Sequence, residues 1–201
     1  MLILHDYLPS GNGYKVRLLL HQLGIPFRLV EHDVVAGATR RPEFLALSPV
    51  GKIPVLQLQD GTVLSESGAI LCYLAVDSVI WPAERLERAQ TLQWLFFEQY
   101  SHEPHIAVAR FLRMAPDDPR QADLPRLLDR GHAALAIMEQ HLTGRRYFVG
   151  ERYGLADIAL YAYTHVAPEG GFDLEPYPWI RAWLELVRSE PGHVPIDWRP
   201  N

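Results

Sequence analysis

The hydrophobic period of this chain changes once, near residue 77, and that change limits what it can fold into. Before it, short apolar runs alternate with stretches of helical spacing. Leu2 to His5 is an apolar run ending at a Pro/Ser/Gly/Asn cluster, so it reads as a strand and a loop. Val16, Leu19, Leu20 and Leu23 then recur at helical spacing, Gly24 stops that helix, and Pro26 follows. Phe27 to Val35 reads as a strand and Pro42 to Leu47 as a short helical turn. Ile53 to Leu58 and Thr62 to Leu64 read as two brief strands, with Asp60-Gly61 between them as a hairpin signal. A further helix is expected from Glu66, capped by Ser65 and carrying Ile70, Leu71 and Leu74. The order is β-α-β-α-β-β-α.

After Asp77 the strand signals vanish. Ser78 to Ala83, with Trp81 and Pro82, reads as a linker, and the remainder is helical by period: Glu84 to Arg113, Ala122 to Leu142, Leu155 to Val166 and Trp179 to Arg188. Pro104 is expected to kink the first of these, and Trp94, Phe96 and Phe97 are expected in its core face. An α/β unit followed by an all-α bundle is two domains, 1–77 and 84–201, joined by 78–83. A chain of 201 residues can bury both cores without disulfides.

Composition removes several function classes. The formal net charge is −5 with His neutral, and the basic residues do not run together, so no nucleic-acid footprint is present. No apolar stretch is long enough to span a bilayer. The opening MLILHDYLPSGNGYK has no basic leader and reads as a first strand, not a signal peptide. The single cysteine, Cys72, cannot form an internal disulfide, fits a reducing, cytoplasmic setting, and sits on an apolar helix as inert core. His102 and His105 are three apart, but without a His-Glu-x-x-His pattern they do not predict a metal site.

Three segments carry candidate chemistry. Leu8-Pro9-Ser10-Gly11-Asn12-Gly13-Tyr14-Lys15-Val16 joins the first strand to the first helix and offers Ser10 and Asn12 at a helix start. Ser48-Pro49-Val50-Gly51-Lys52-Ile53-Pro54-Val55-Leu56 leads into a strand through an Ile-Pro bond. Ser65-Glu66-Ser67-Gly68-Ala69-Ile70 opens a helix whose free N–H groups and dipole suit an anion.

This order of motifs, over nearly the whole chain, resembles the glutathione S-transferases, and in particular bacterial members with a Ser/Asn active-site loop, theta-like or nu-like. The resemblance implies a thioredoxin-like N-terminal domain, a helical C-terminal domain and a homodimer. It implies glutathione as co-substrate, with no metal. In the family the second proline of the N/S-P-x-x-x-V/I-P-x-L stretch is cis, which assigns Pro54 and leaves the backbone of Ile53 to pair with the cysteinyl part of glutathione. Ser67 would bind the γ-glutamyl carboxylate and Glu66 its ammonium. Lys52 would neutralise the glycyl carboxylate; Thr39, beside Arg40 and Arg41, occupies the place of another glycyl contact. Ser10 or Asn12 would hold the thiolate; Tyr7 ranks below them, because Asp6 matches the tyrosine position of other classes. Tyr100, His105 and Arg110 would line the pocket of a small electrophile. Gly154 replaces the hydroxyl cap of the family's buried helix start, with Asp157 structural. The function implied is thiol transfer to an electrophile; the alternatives are glutathione-dependent reduction of a disulfide or peroxide, or a non-catalytic glutathione-binding regulator.

Overall fold

The structure is a computed structural model describing residues 1–200. The chain divides into two compact units, Met1–Val79 with Pro191–Asn201, and Ile80–Glu190. The last stretch therefore belongs with the first unit, whereas the sequence reading assigns it to the second domain, 84–201.

The first unit holds β1 (Leu2–Asp6), α1 (Gly11–Gln22), β2 (Phe27–Glu31), α2 (Pro42–Leu47), β3 (Val55–Gln57), β4 (Val63–Ser65) and α3 (Ser67–Ala75). The sheet order is β2-β1-β3-β4. β1 is parallel to β2, with Leu4 opposite Leu29, and antiparallel to β3, with Leu4 opposite Leu56; β3 and β4 are antiparallel. This mixed sheet with its helices is the thioredoxin-like arrangement. Leu4, Val16, Leu20, Phe27, Leu56 and Ile70 form one buried cluster, which joins α1 and α3 to one face of the sheet. Alternation along β1 puts His5 on the other face, where its Nδ1 lies 3.0 Å from His32 Nε2.

Several boundaries move for local reasons. β2 stops at Glu31, short of the expected Val35, because Asp33 caps a turn through its side chain to Ala36 N and its carbonyl to Ala38 N. The Asp60-Gly61 hairpin forms as expected, with Gly61 at φ 89° and Leu58 N donating to Thr62 O. Ser65 does not cap α3. It ends β4, and Glu66 takes the cap position at φ 68°, ψ 111° with no side-chain capping bond.

Residues 191–200 are held to the first unit by α1 and β2. The Tyr14 hydroxyl donates to Val194 O at 2.7 Å, and the Trp198 ring meets His21 edge-on. Arg17 is fully buried and spreads its fork over three chain segments: Nε to Asp6 at 2.8 Å, Nη2 to Leu8 O at 2.7 Å, and Nη1 to Ile196 O and Trp198 O at 2.6 and 3.1 Å. Arg199 pairs with Glu31 at 2.7 Å.

The second unit is helical: α4 (Arg85–Phe97), a π-helical turn (Glu98–His102), α5 (Glu103–Met114), α6 (Leu124–Leu142), α7 (Leu155–Thr164) and α8 (Pro178–Arg188). The expected kink at Pro104 takes the form of that π turn. Proline lacks an N–H and its ring crowds the carbonyl four residues back, so the helix widens just before it. Trp94 is buried, but Phe96 is 70% exposed and is not core: Trp94, Leu95 and Glu98 take the inward positions of this helix. Asp157 is buried at the start of α7 and accepts from Phe148 N, Gly154 N and Trp183 Nε1 at 3.1, 3.0 and 2.8 Å. Burial pushes its carboxyl up to about 7 against those three donors.

Candidate functional site

Two helix starts meet in the first unit. Ser10 precedes α1 in extended backbone (φ −74°, ψ 125°), and its Oγ accepts from Gly13 N at 3.5 Å. Asn12 lies in the first turn of α1, and Ser67 is the first residue of α3. The Ser67 hydroxyl donates to Asn12 Oδ1 at 3.3 Å, so the leading ends of both helices face one point. Each end contributes free N–H groups and about half a positive charge, which suits an anion or a thiolate.

Lys15 completes this cluster, and the sequence reading gave it no role. It is 1% exposed, and its Nζ donates to Asn12 Oδ1 at 2.7 Å and to Ser67 Oγ at 3.5 Å. The usable signal was the spacing: residues three apart on a helix share a face, so Lys15 must lie beside Asn12.

α1 is positioned from below by Asp6. Its carboxyl accepts from Tyr7 N at 2.6 Å and from Arg17 Nε at 2.8 Å, and Gly13 leaves the space it occupies. Burial raises this carboxyl to about 6, with Arg17 pulling the other way. Asp6 is thus committed inside the unit.

The other predicted glutathione contacts lie on neighbouring segments. The Ile53–Pro54 bond is cis and leads into β3; Pro54 is buried and Ile53 half-buried. Lys52 is exposed, and Thr39 is buried in a short 3-10 turn. Glu66 is exposed and, among the described residues, is the sole non-glycine at positive φ. Such a backbone is uncommon outside turns and binding sites.

The three residues predicted for the electrophile pocket lie in the second unit. Tyr100, in the π turn, is 86% exposed. Arg110 is buried and paired with Glu169 at 2.6 Å. His105 is half-buried; burial, with Arg126 and Arg130, lowers its pKa. Cys72 is half-buried, and burial raises its thiol pKa. Among the described residues there is no group of three or more His, Cys, Asp or Glu placed to hold a metal. No helix among them is long and apolar enough to cross a membrane.

A thioredoxin-like N-terminal unit followed in sequence by an all-helical unit is the architecture of the glutathione transferases. Two family models match: Glutathione S-transferase, N-terminal domain, over residues 9–76, and Glutathione S-transferase, C-terminal domain, over residues 102–191. The chain belongs to the glutathione S-transferase family. It is 52% identical to a glutathione S-transferase from Pseudomonas fluorescens Pf-5, covering 97% of this chain and 98% of that one at a TM-score of 0.94. It is 32% identical to the disulfide-bond oxidoreductase YfcG of Escherichia coli K12, over 92% of this chain and 90% of that protein. A glutathione transferase homolog from Lodderomyces elongisporus, solved with two glutathione molecules per subunit, is 26% identical at a TM-score of 0.86, covering 95% of this chain and 94% of that one.

Proposed function

We propose that this chain is a glutathione transferase of the Ser/Asn type, which binds glutathione along the edge of its first unit and activates the thiol. The observation that supports the reading is the Asn12–Ser67 contact at 3.3 Å, which brings the residue proposed for the thiol and the residue proposed for the γ-glutamyl carboxylate together. Ser67 and the α3 start take the γ-glutamyl carboxylate, Glu66 takes the ammonium, and the backbone of Ile53 before Pro54 pairs with the cysteinyl part. Lys52 and Thr39 serve the glycyl end. The homolog solved with glutathione supports the ligand.

The reaction needs a thiolate at neutral pH. A free thiol has a pKa of about 8.5, so roughly 3% is ionised at pH 7. Hydrogen bonds from Asn12 and Ser10, with the helix ends, shift that value down by about one to two units. The proton leaves to solvent, the sulfur pair forms a bond to an electrophilic carbon, and the leaving group departs with its own electron pair. Tyr100, His105 and Arg110 are the proposed contacts of that electrophile.

A second reading is glutathione-dependent disulfide reduction, favoured by the name of the Escherichia coli relative. There the thiolate attacks a disulfide sulfur and expels a thiolate. A second glutathione then resolves the mixed disulfide, giving glutathione disulfide and the reduced substrate. We further propose a cytoplasmic homodimer, supported by exposed apolar side chains at Tyr73 and Val76 in the first unit and Leu86 and Phe96 in the second.

The test runs an aryl-halide transfer assay beside a disulfide-exchange assay on wild type, Ser10→Ala and Asn12→Ala. Asn12→Ala should lower turnover about 10–100-fold, as expected for losing roughly 1.5–3 kcal/mol of thiolate stabilisation. Turnover unchanged in both variants would refute the assignment of the thiol partner, and absent glutathione uptake by calorimetry would refute the function.

A further inference from the structure

We propose that Lys15 is the positioning residue of thiol activation: its ammonium fixes the Asn12 side-chain amide with the carbonyl oxygen turned inward and the NH2 turned toward the glutathione sulfur. The inference rests on the glutathione-activating reading above and names what controls that site.

An asparagine amide has two nearly isosteric ends, one a double acceptor and the other a double donor. Only the donor end stabilises a thiolate; the acceptor end repels it. At a catalytic Asn the sign of the effect is therefore set by which way the amide is held. Here Oδ1 takes a bond from Lys15 Nζ at 2.7 Å and another from Ser67 Oγ at 3.3 Å. An ammonium carries three donors and no acceptor, so it cannot tolerate the flipped amide. A flip would set NH2 against NH3⁺ and forfeit a charge-assisted bond, which is roughly twice as strong as a neutral one.

The burial of Lys15 is what makes this hold. A solvated lysine swings among rotamers, but one that is 1% exposed stays where its acceptors are. The bond also draws electron density from the amide and strengthens its N–H donors. A third link, Lys15 Nζ to Ser67 Oγ at 3.5 Å, ties the thiol partner to the residue proposed for the γ-glutamyl carboxylate. One ammonium thus registers the two ends of the ligand site on each other.

The experiment follows the thiolate of bound glutathione by its ultraviolet absorbance across pH, with the pH profile of kcat/KM, in wild type, Lys15→Met and Lys15→Gln. Met keeps the volume without charge or donors; Gln keeps a donor. In Lys15→Met the ascending limb should move up by about one pH unit, a roughly tenfold loss of thiolate below the midpoint. Calorimetric glutathione affinity should fall much less, and Lys15→Gln should recover part of the shift. If one variant fails to fold, as judged by circular dichroism, the other carries the comparison. Asn12→Asp supplies an independent arm: it keeps an oxygen for Lys15 but sets a second oxygen at the sulfur, so it should suppress the thiolate below the level of Asn12→Ala. The inference is overturned if wild type binds and activates glutathione while the Lys15 variants keep its pH profile, or if Asn12→Asp performs as well as Asn12→Ala. No glutathione uptake by wild type overturns the underlying reading, and this inference with it.

Discussion

Replacing Gly13 by Ala should be one of the most damaging small substitutions in the first unit, although alanine is the better helix former by about 1 kcal/mol. Gly13 lies in the first turn of α1, and a Cβ there would land on the carboxyl group of Asp6. That carboxyl cannot swing aside cheaply. It is buried, holds Tyr7 N at 2.6 Å, and holds the fully buried Arg17 at 2.8 Å. Displacing it leaves Arg17 short of its counter-charge, and breaking a buried pair from one side costs about 3–5 kcal/mol. Subtracting the gain in helix propensity leaves about 2–4 kcal/mol. For a chain of this size that lowers the melting temperature by roughly 4–16 °C. The assay is a thermal melt of four proteins: wild type, Gly13→Ala, Asp6→Ala and the double variant. If the Asp6 carboxyl is the obstacle, adding Gly13→Ala to Asp6→Ala should cost less than about 1 kcal/mol, a coupling of at least about 1–3 kcal/mol. A Gly13→Ala protein melting with wild type, or an equal cost in both backgrounds, would refute the argument.

Asp157→Ala should destabilise the second unit by at least about 3 kcal/mol, because Phe148 N, Gly154 N and Trp183 Nε1 would each lose a buried acceptor, at about 1–3 kcal/mol apiece. Urea unfolding followed by tryptophan fluorescence reads this directly, and a midpoint near wild type would count against the network. Burial lowers the pKa of both His5 and His32, and their proximity adds to the effect at His5. Both are therefore neutral in the folded chain where the unfolded chain already binds protons, so this pair's contribution should turn destabilising as pH falls below about 6.5, opposite in sign to that of the raised Asp6 and Asp157 carboxyls. Replacing both histidines by Gln should make the variant gain stability relative to wild type between pH 7.5 and 5.5, measured as urea midpoints; a difference that does not change with pH would exclude the contribution of this pair.

What the sequence showed of the fold came from short-range signals. The change of period after Asp77, the Asp60-Gly61 hairpin and the Gly24 stop each depend on a few adjacent residues, and each is where it was expected. Phe96 departs from the expected core because helical phase, not aromatic character, decides which side chains of α4 turn inward. The misassigned cap at Ser65 reflects the unusual backbone of Glu66, which no propensity predicts for a charged residue. In the candidate site, Ser10, Asn12 and Ser67 could be picked out by type and order, but their convergence is long-range: the Ser67–Asn12 bond spans 55 residues. The burial of Lys15 is not legible in the sequence because lysine is seldom buried, and it follows only from the placement of both helix starts.

Arg17 donates one arm of its guanidinium to the carbonyls of Ile196 and Trp198, which stand 179 and 181 residues away. The helix that carries Asn12 on its first turn is therefore finished by backbone delivered almost two hundred residues later. During synthesis the helical unit emerges complete while the first unit still lacks its final strap. A guanidinium waiting inside a half-built core is hydrated, so full packing around α1 has to follow the emergence of residues 191–200. Cutting the chain at the apparent boundary near residue 79 would yield a fragment with the sheet but without that closure.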